Sequence, residues 1–378
     1  MSLLDSIRAA KQLRKVGSIA HDASAPSLIV DTLQISNKYD TLVLQANIEN
    51  WNTLLSEFTP KTILVPLTPA QGTLLLRAYE ALESAALAEA IDAAAAQYVR
   101  SGKTGAPLVP EESLLLEQLG QEIQTAIDAL GGSGCFVKLS SRSPKDAAAR
   151  SGVFEAHYIR AVQAAVELDD EQRLWILCQS EGAALRFKDA ASVVRSLVLS
   201  ERVWQDMTLA MRHPDTWQQN IILREWQPVP IDMEFRTFIS KTRMTAISQY
   251  AYQLCSPRLT TAEKLDPAIA AIRTLYEDRL RPILSASPAF ADCVIEFGVI
   301  PPESEGGEWR AIVIEINPFE ETTDGGLFSW TRERQLIEGT EEGVEYPVVR
   351  VTERKRTGAL AMVPSRWKEV VRRVEGRT

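Results

Sequence analysis

Five short apolar runs lie between residues 221 and 316, and four of them carry ionisable side chains. They are Ile221–Trp226, Met233–Ile239, Met244–Gln249, Cys293–Ile300 and Ala311–Ile316. Runs of this length, rich in β-branched and aromatic residues, read as strands. Thr242-Arg243 is expected to form the tight turn between the second and third, and the polar loop PPESEGGE joins the last two. Strands joined by short connections pair antiparallel. With the helical pattern over Thr261–Leu284, the second half of the chain is expected to be an α+β unit around an antiparallel sheet. Charges inside a buried strand must be paired or bound. Arg224, Glu225, Glu234, Arg236, Glu296 and Glu315 are therefore the places to look for chemistry or for a structural ion-pair ladder.

The remainder of the chain reads as mostly helical. Short strands are expected at Ser27–Val30, Thr41–Leu44 and Thr62–Leu67, then a long helix from about Pro69 to Arg100. Gly102–Pro110 is a Gly/Pro-rich break, followed by a helix over Glu111–Leu130 that stops at Gly131-Gly132. Cys135–Leu139 is a further strand, and residues 145–210 carry helical periodicity. The expected organisation is an N-terminal region 1–132, a small sub-domain 133–215, a second sub-domain 216–349 and a basic tail 350–378.

Several classes are disfavoured by composition. Met1–Lys15 carries Asp5, Arg8, Lys11, Arg14 and Lys15, with no apolar segment of a leader; its Leu3, Leu4, Ile7 and Leu13 suit a short amphipathic helix. The Ala-rich run Ala81–Val99 is broken by Glu83, Glu89 and Asp92, so no span of a membrane is expected. Cys135, Cys178, Cys255 and Cys293 form no CxxC or Cys/His spacing, which points to reduced thiols and a cytoplasmic setting. The three histidines show no ligand spacing. A formal charge of −9 argues against coating nucleic acid. The tail is the exception, with nine Lys/Arg against three Glu over 350–378. It can dock on the acidic body, meet RNA or an acidic partner, or stay a solvated helix.

Two constellations stand out. Glu315 and Asn317 are two apart at the end of a strand, so alternation gives them one face, and Glu296 on the preceding strand can align with them. Side-chain oxygens on a rigid strand suit Mg²⁺, and two carboxylates with an Asn in this order favour it over a lone Glu; the other reading is a Glu on an exposed sheet face. Lys138 sits in the apolar strand CFVKL, ahead of a loop with Ser140, Ser141, Arg142, Ser143 and Lys145, and Pro144 can start a helix. This suits an anion, or an exposed Ser/Lys turn, and spacing does not choose between them. It is not a Walker A loop, since no GxxxxGK[ST] occurs in the chain.

These segments in this order resemble the cell division cycle protein 123 family. The matching stretches are VKLSSRSPKDA (137–147), LREW (223–226), MEFRTFI (233–239), AISQ (246–249) and IEINPFEETTDGGLFSW (314–330), with Glu296 between and Asn50-Trp51 to Thr68 upstream. Glu315-Ile-Asn317 stands where the family usually has Asp-Phe-Asn, and Arg-Glu-Trp where it has Arg-Lys-Trp. The resemblance implies an ATP-grasp-like fold, α+β with antiparallel sheets and flanking helices, holding ATP and Mg²⁺ in a cleft. It implies that Lys138, Ser140, Arg142, Ser143 and Lys145 meet phosphates, and that Arg224, Glu225 and Trp226 form a hinge strand whose backbone pairs with adenine. Glu234 and Arg236 would line the ribose and phosphates, Glu296, Glu315 and Asn317 would hold the metal, and Asp324 would be an outer contact. Family members are assembly chaperones for eukaryotic translation initiation factor 2 and bind its gamma subunit. The alternative use of the same cleft is an ATP-grasp ligase or phosphotransferase; no base for an acceptor is legible, so whether the chain is an enzyme stays open.

Overall fold

Two antiparallel-rich sheets are joined through one face of the smaller, whose Ile222 and Leu64 enter the helix-covered core of the larger and whose Lys138 and Arg224 bond Glu315 and the Ile314 carbonyl. The computed structural model describes residues 41–80 and 110–376, apart from residues 43, 166, 305 and 356. The helix expected near the start, the strand at 27–30, the Ala-rich run 81–99 and most of the 102–110 break lie outside the described residues.

In chain order the first half contains β1 (Thr62–Pro66), α1 (Pro69–Glu80), α2 (Pro110–Ala129), β2 (Cys135–Leu139), a 3-10 turn (Lys145–Arg150), α3 (Gly152–Gln163), α4 (Asp170–Ala184), α5 (Ala190–Leu199), α6 (Glu201–Met211) and β3 (Asn220–Glu225). The second half contains β4 (Glu234–Ser240), β5 (Arg243–Gln249), α7 (Ala262–Leu275), a π-helical turn (Tyr276–Leu280) leading into α8 (Arg281–Ser285), β6 (Cys293–Ile300), β7 (Arg310–Pro318), α9 (Arg334–Ile337), β8 (Val348–Arg350) and α10 (Ser365–Glu375).

The small sheet has the order β1-β3-β2, antiparallel throughout. Period-two alternation divides its residues cleanly. Val65, Val137, Leu139, Ile221 and Leu223 enter a core with Leu119 and Ile123 of α2, Leu174 and Leu177 of α4, and Val193 and Leu197 of α5. Lys138, opposite Ile222, and Arg224 point the other way, toward the large sheet. The large sheet has the order β7-β6-β4-β5-β8, with β8 parallel to β5 and every other pair antiparallel. Phe235, Ile239, Ile295, Phe297 and Val313 share a core with Ile269, Ile272, Tyr276, Leu280 and Leu284 of the α7–α8 stretch. On the opposite face, one end is apolar, with Phe238, Val294, Phe328 and Trp330. The other end carries the charges.

Two expectations are corrected. Thr41, Leu42, Leu44 and Gln45 are helical, not extended. The β4–β5 turn is Lys241-Thr242, one residue earlier than expected, with left-handed φ of 50° and 59°. Neither is Gly or Asn, and the neighbourhood holds them: Lys241 N–H donates to Asp292 Oδ1 (2.9 Å) and Thr242 N–H to the Ala291 carbonyl (2.8 Å). β1, β2 and β3 of the small sheet come from three successive segments, one from each of the stretches 1–132, 133–215 and 216–349. Of the three readings of the basic tail, α10 follows the first and docks on the body. Trp367 and Val370 of α10 join the first core, Glu375 accepts from Tyr158 (2.5 Å) and Arg173 (2.9 Å), and Arg373 pairs with Glu155 (2.7 Å).

Candidate functional site

The charged end of the large sheet is set by register. Arg236, Glu296 and Glu315 stand opposite one another on β4, β6 and β7, and Asn317 lies two residues beyond Glu315 on the same face. A bulge after Glu296 places Glu315 opposite Glu296 but Val313 opposite Phe297, so Ile314 is the extra residue. Bulges re-aim side chains where a regular ladder could not. Arg236 Nη2 donates to Glu296 Oε1 (2.6 Å), and Asn317 Nδ2 donates to the same oxygen (3.1 Å). Arg236 also donates to the Asp324 carbonyl. The loop that brings Asp324 there approaches β5 closely at Gly326 (φ 62°), where a Cβ would fall 2.4 Å from Ser248 Oγ.

The small sheet supplies the facing cations. Lys138, 2% exposed, bonds Glu315, which is 24% exposed. Lys145, from the 3-10 turn, donates to the Tyr250 hydroxyl (2.9 Å), and its Nζ is 4.8 Å from the centre of that ring. Arg236 lies over the same ring at 5.1 Å. The seam between the sheets thus collects Lys138, Lys145, Glu234, Arg236, Glu296, Glu315 and Asn317 out of three distant stretches of sequence.

Its electrostatics follow from burial and mutual proximity. Burial alone would raise the Glu315 carboxyl, but Lys138, by charge and hydrogen bond, and then Lys145 and Arg202 hold it below the usual carboxylate range. Burial pushes Glu234 up to about 6, against the pull of Lys145 and with the help of Glu296 and Glu181. Burial also raises Glu181, opposed by Lys145 and Arg202. For Lys145 burial works against the ammonium, yet Tyr250, Glu234, Glu296 and Glu181 keep its pKa above that of an ordinary lysine.

Other expected site residues are engaged elsewhere. Arg224 is buried and donates to the carbonyl of Ile314 and to Thr59, fastening the small sheet to the edge of β7; burial pushes its pKa down to about 10, with Glu315 opposing. Glu225 and Trp226 donate their N–H groups to the carbonyls of Lys61 (2.8 Å) and Gly134 (3.3 Å). β3 is the central strand of its sheet, so these donors are spent and do not face an open edge. The Trp226 ring packs beside Arg186 (5.6 Å), and Glu225 accepts from Gln227 (3.2 Å). Ser140 Oγ accepts from the Asn220 N–H (3.0 Å), and Ser143 is buried. Arg142 is held by α6, donating to Asp206 (Nε to Oδ1, 2.8 Å) and to Gln205 (3.1 Å). Asp324 meets the seam through its backbone, its carboxylate capping the Gly326 N–H (2.9 Å). Tyr250, Glu181, Arg202 and Asp206 were not legible as site residues; the adjacency of Tyr250 to the AISQ strand was the nearest signal.

Two chemical features bear on what the seam can hold. The Nε–H groups of Arg236 and Arg202 are buried with no hydrogen-bond partner. Such donors are costly to leave unmade, and anionic oxygens satisfy them. Glu315 and Asn317 offer hard oxygen donors, and Glu296 Oε1 is committed to Arg236 and Asn317. Among the described residues no group of three or more His, Cys, Asp or Glu converges as a self-sufficient metal site. One carboxylate and one amide instead fit a cation that draws its remaining ligands from phosphate. Two surface cavities, of about 370 and 240 Å³, lie away from the seam, beside Arg150 and Arg366 and beside Arg273 and Tyr346.

The two-sheet arrangement is that of an ATP-grasp-like α+β fold. The chain belongs to the D123 family, whose model matches residues 173–369, more than half of its length. It is 25% identical over 304 residues to the translation initiation factor eIF2 assembly protein of Schizosaccharomyces pombe, covering 76% of this chain and 77% of that one. It is likewise 25% identical over 263 residues to the protein of that name from Xenopus laevis, covering 67% of this chain and 63% of the relative. The structure of Cdc123 from S. pombe superposes with a TM-score of 0.52 at 23% identity, covering 83% of this chain and 98% of that one. No helix among the described residues is long and apolar enough to cross a membrane.

Proposed function

We propose that this chain binds ATP with Mg²⁺ in the seam between its sheets and serves as an assembly factor for eukaryotic translation initiation factor 2, engaging the gamma subunit. The observation that carries the nucleotide reading is the convergence of Lys138, Lys145 and Arg236 with Glu315 and Asn317 on facing sheets. Lysines supply point charges for phosphate, and Arg236, with an unused buried N–H, supplies a directional fork. Glu315 and Asn317 would hold the metal, with Glu296 fixing the Asn317 amide and tying it to Arg236. Mg²⁺ held there would supply positive charge against the phosphates. The partner reading is supported by the relatives named eIF2 assembly proteins, matched over most of this chain.

The test is capture of purified gamma subunit by the tagged chain, with and without ATP and Mg²⁺, alongside a measurement of ADP release. The proposal expects capture and little turnover. No capture removes the partner reading, and acceptor-dependent ADP release would make the chain an ATP-grasp enzyme.

A further inference from the structure

Tyr250 joins the two halves of the seam. It follows β5, and its N–H donates to the Glu234 carbonyl (2.9 Å), which fixes its backbone to the start of β4. Its hydroxyl accepts from Lys145, which arrives from the turn after β2 on the other side. The ring also attracts two cations, Lys145 Nζ at 4.8 Å and Arg236 Cζ at 5.1 Å. Among the described residues no carboxylate lies within salt-bridge distance of Lys145; the Tyr250 hydroxyl is the hydrogen bond that directs its ammonium. Arg236 is directed by Glu296, by the Asp324 carbonyl and by the ring, with its Nε–H left over.

We infer that Tyr250 is a positioning residue for nucleotide binding, holding Lys145 and Arg236 together as one phosphate-facing pair. The inference rests on the nucleotide reading above and adds a residue to it. A flexible lysine loses much rotamer freedom when it meets a phosphate. A tyrosine that has already set its direction lowers that cost, which is preorganisation. Tyr250 acts through Lys145, so its loss should be felt by phosphates and not by the nucleoside.

The experiment is calorimetry with ATP·Mg²⁺ and with adenosine on the wild type, Tyr250→Phe, Lys145→Met and the double variant. Tyr250→Phe keeps the ring and removes one bond to a charged group, so ATP·Mg²⁺ should bind about tenfold more weakly. Adenosine should bind as to the wild type. In the Lys145→Met background Tyr250→Phe should add little, since its effect runs through the missing lysine. Tyr250→Leu removes the ring as well and should weaken ATP·Mg²⁺ further. Unchanged ATP·Mg²⁺ affinity in both Tyr250 variants, equal losses for ATP and adenosine, or full additivity with Lys145→Met would each overturn the inference. Failure of the wild type to bind ATP·Mg²⁺ is a different result: it removes the nucleotide reading, and the inference with it.

Discussion

Replacing Arg224 separates a structural guanidinium from a nucleotide-binding one. Arg224 is 2% exposed, and its guanidinium bonds reach the Ile314 carbonyl and Thr59 Oγ1, with a longer one to the Val313 carbonyl (3.4 Å). β7 is the edge strand of the large sheet, so its outward carbonyls need a partner from outside that sheet. Arg224→Met keeps most of the volume and removes those bonds. Val313 O retains Thr59 (2.8 Å), whereas Ile314 O loses its guanidinium. One orphaned buried carbonyl costs ~1–3 kcal/mol, and a lost bond to a charged group a similar amount. Relief of the buried charge, whose pKa is pushed down to about 10, offsets part of this. The expected net loss is about 3 kcal/mol, against a scatter of roughly 0.5 kcal/mol for ordinary surface changes. Urea unfolding of the two proteins reads the difference directly, with ATP·Mg²⁺ calorimetry on the folded variant as the second arm. Stability equal to the wild type together with a tenfold loss of ATP affinity would refute the assignment and return Arg224 to the nucleotide.

Lys138→Ala should weaken ATP·Mg²⁺ about tenfold or more, the worth of a bond to a charged group, and calorimetry showing wild-type affinity would make Lys138 a purely structural partner of Glu315. Glu234 gives a pH signature. Its folded pKa of about 6 lies above the ordinary 4.5, so its favourable contribution is complete below about pH 4.5 and is lost as pH rises through about 6. Glu234→Gln removes that dependence, and the variant should gain roughly 2 kcal/mol relative to the wild type between pH 4.5 and 7. Parallel urea midpoints at the two ends of this window check it, and identical pH profiles would show that Glu234 is not buried as described.

Much of this architecture could be read from local pattern. β3 to β7 are short, largely apolar runs, and each is recognisable within a residue or two. The common face of Glu315 and Asn317 followed from their spacing, and the alignment of Glu296 from the hairpin. What failed was non-local. β8 is three residues long and pairs in parallel with a strand a hundred residues earlier, so nothing in Val348–Arg350 announces it. The β4–β5 turn lacks Gly or Asn and is held by Asp292 and Ala291 across the sheet end. Arg142 reads as a phosphate ligand and Arg224 as part of an adenine-facing strand; their bonds to Asp206 and to backbone carbonyls are long-range contacts that the sequence does not announce. Tyr250 is invisible for the converse reason: its importance lies in contacts with Lys145, 105 positions away, and Arg236.

The most direct test of the seam is the magnesium dependence of ATP binding in the wild type and in Glu315→Gln. The substitution keeps shape and removes one charge from a carboxylate held ionised by Lys138 and, more weakly, by Lys145 and Arg202. Calorimetric titrations with ATP are run with Mg²⁺ and with a chelator. The account predicts that the wild type binds more tightly with Mg²⁺, and that Glu315→Gln loses most of that advantage while its metal-free affinity changes little. A wild type that takes up no ATP, or a variant that loses affinity equally with and without Mg²⁺, would contradict it.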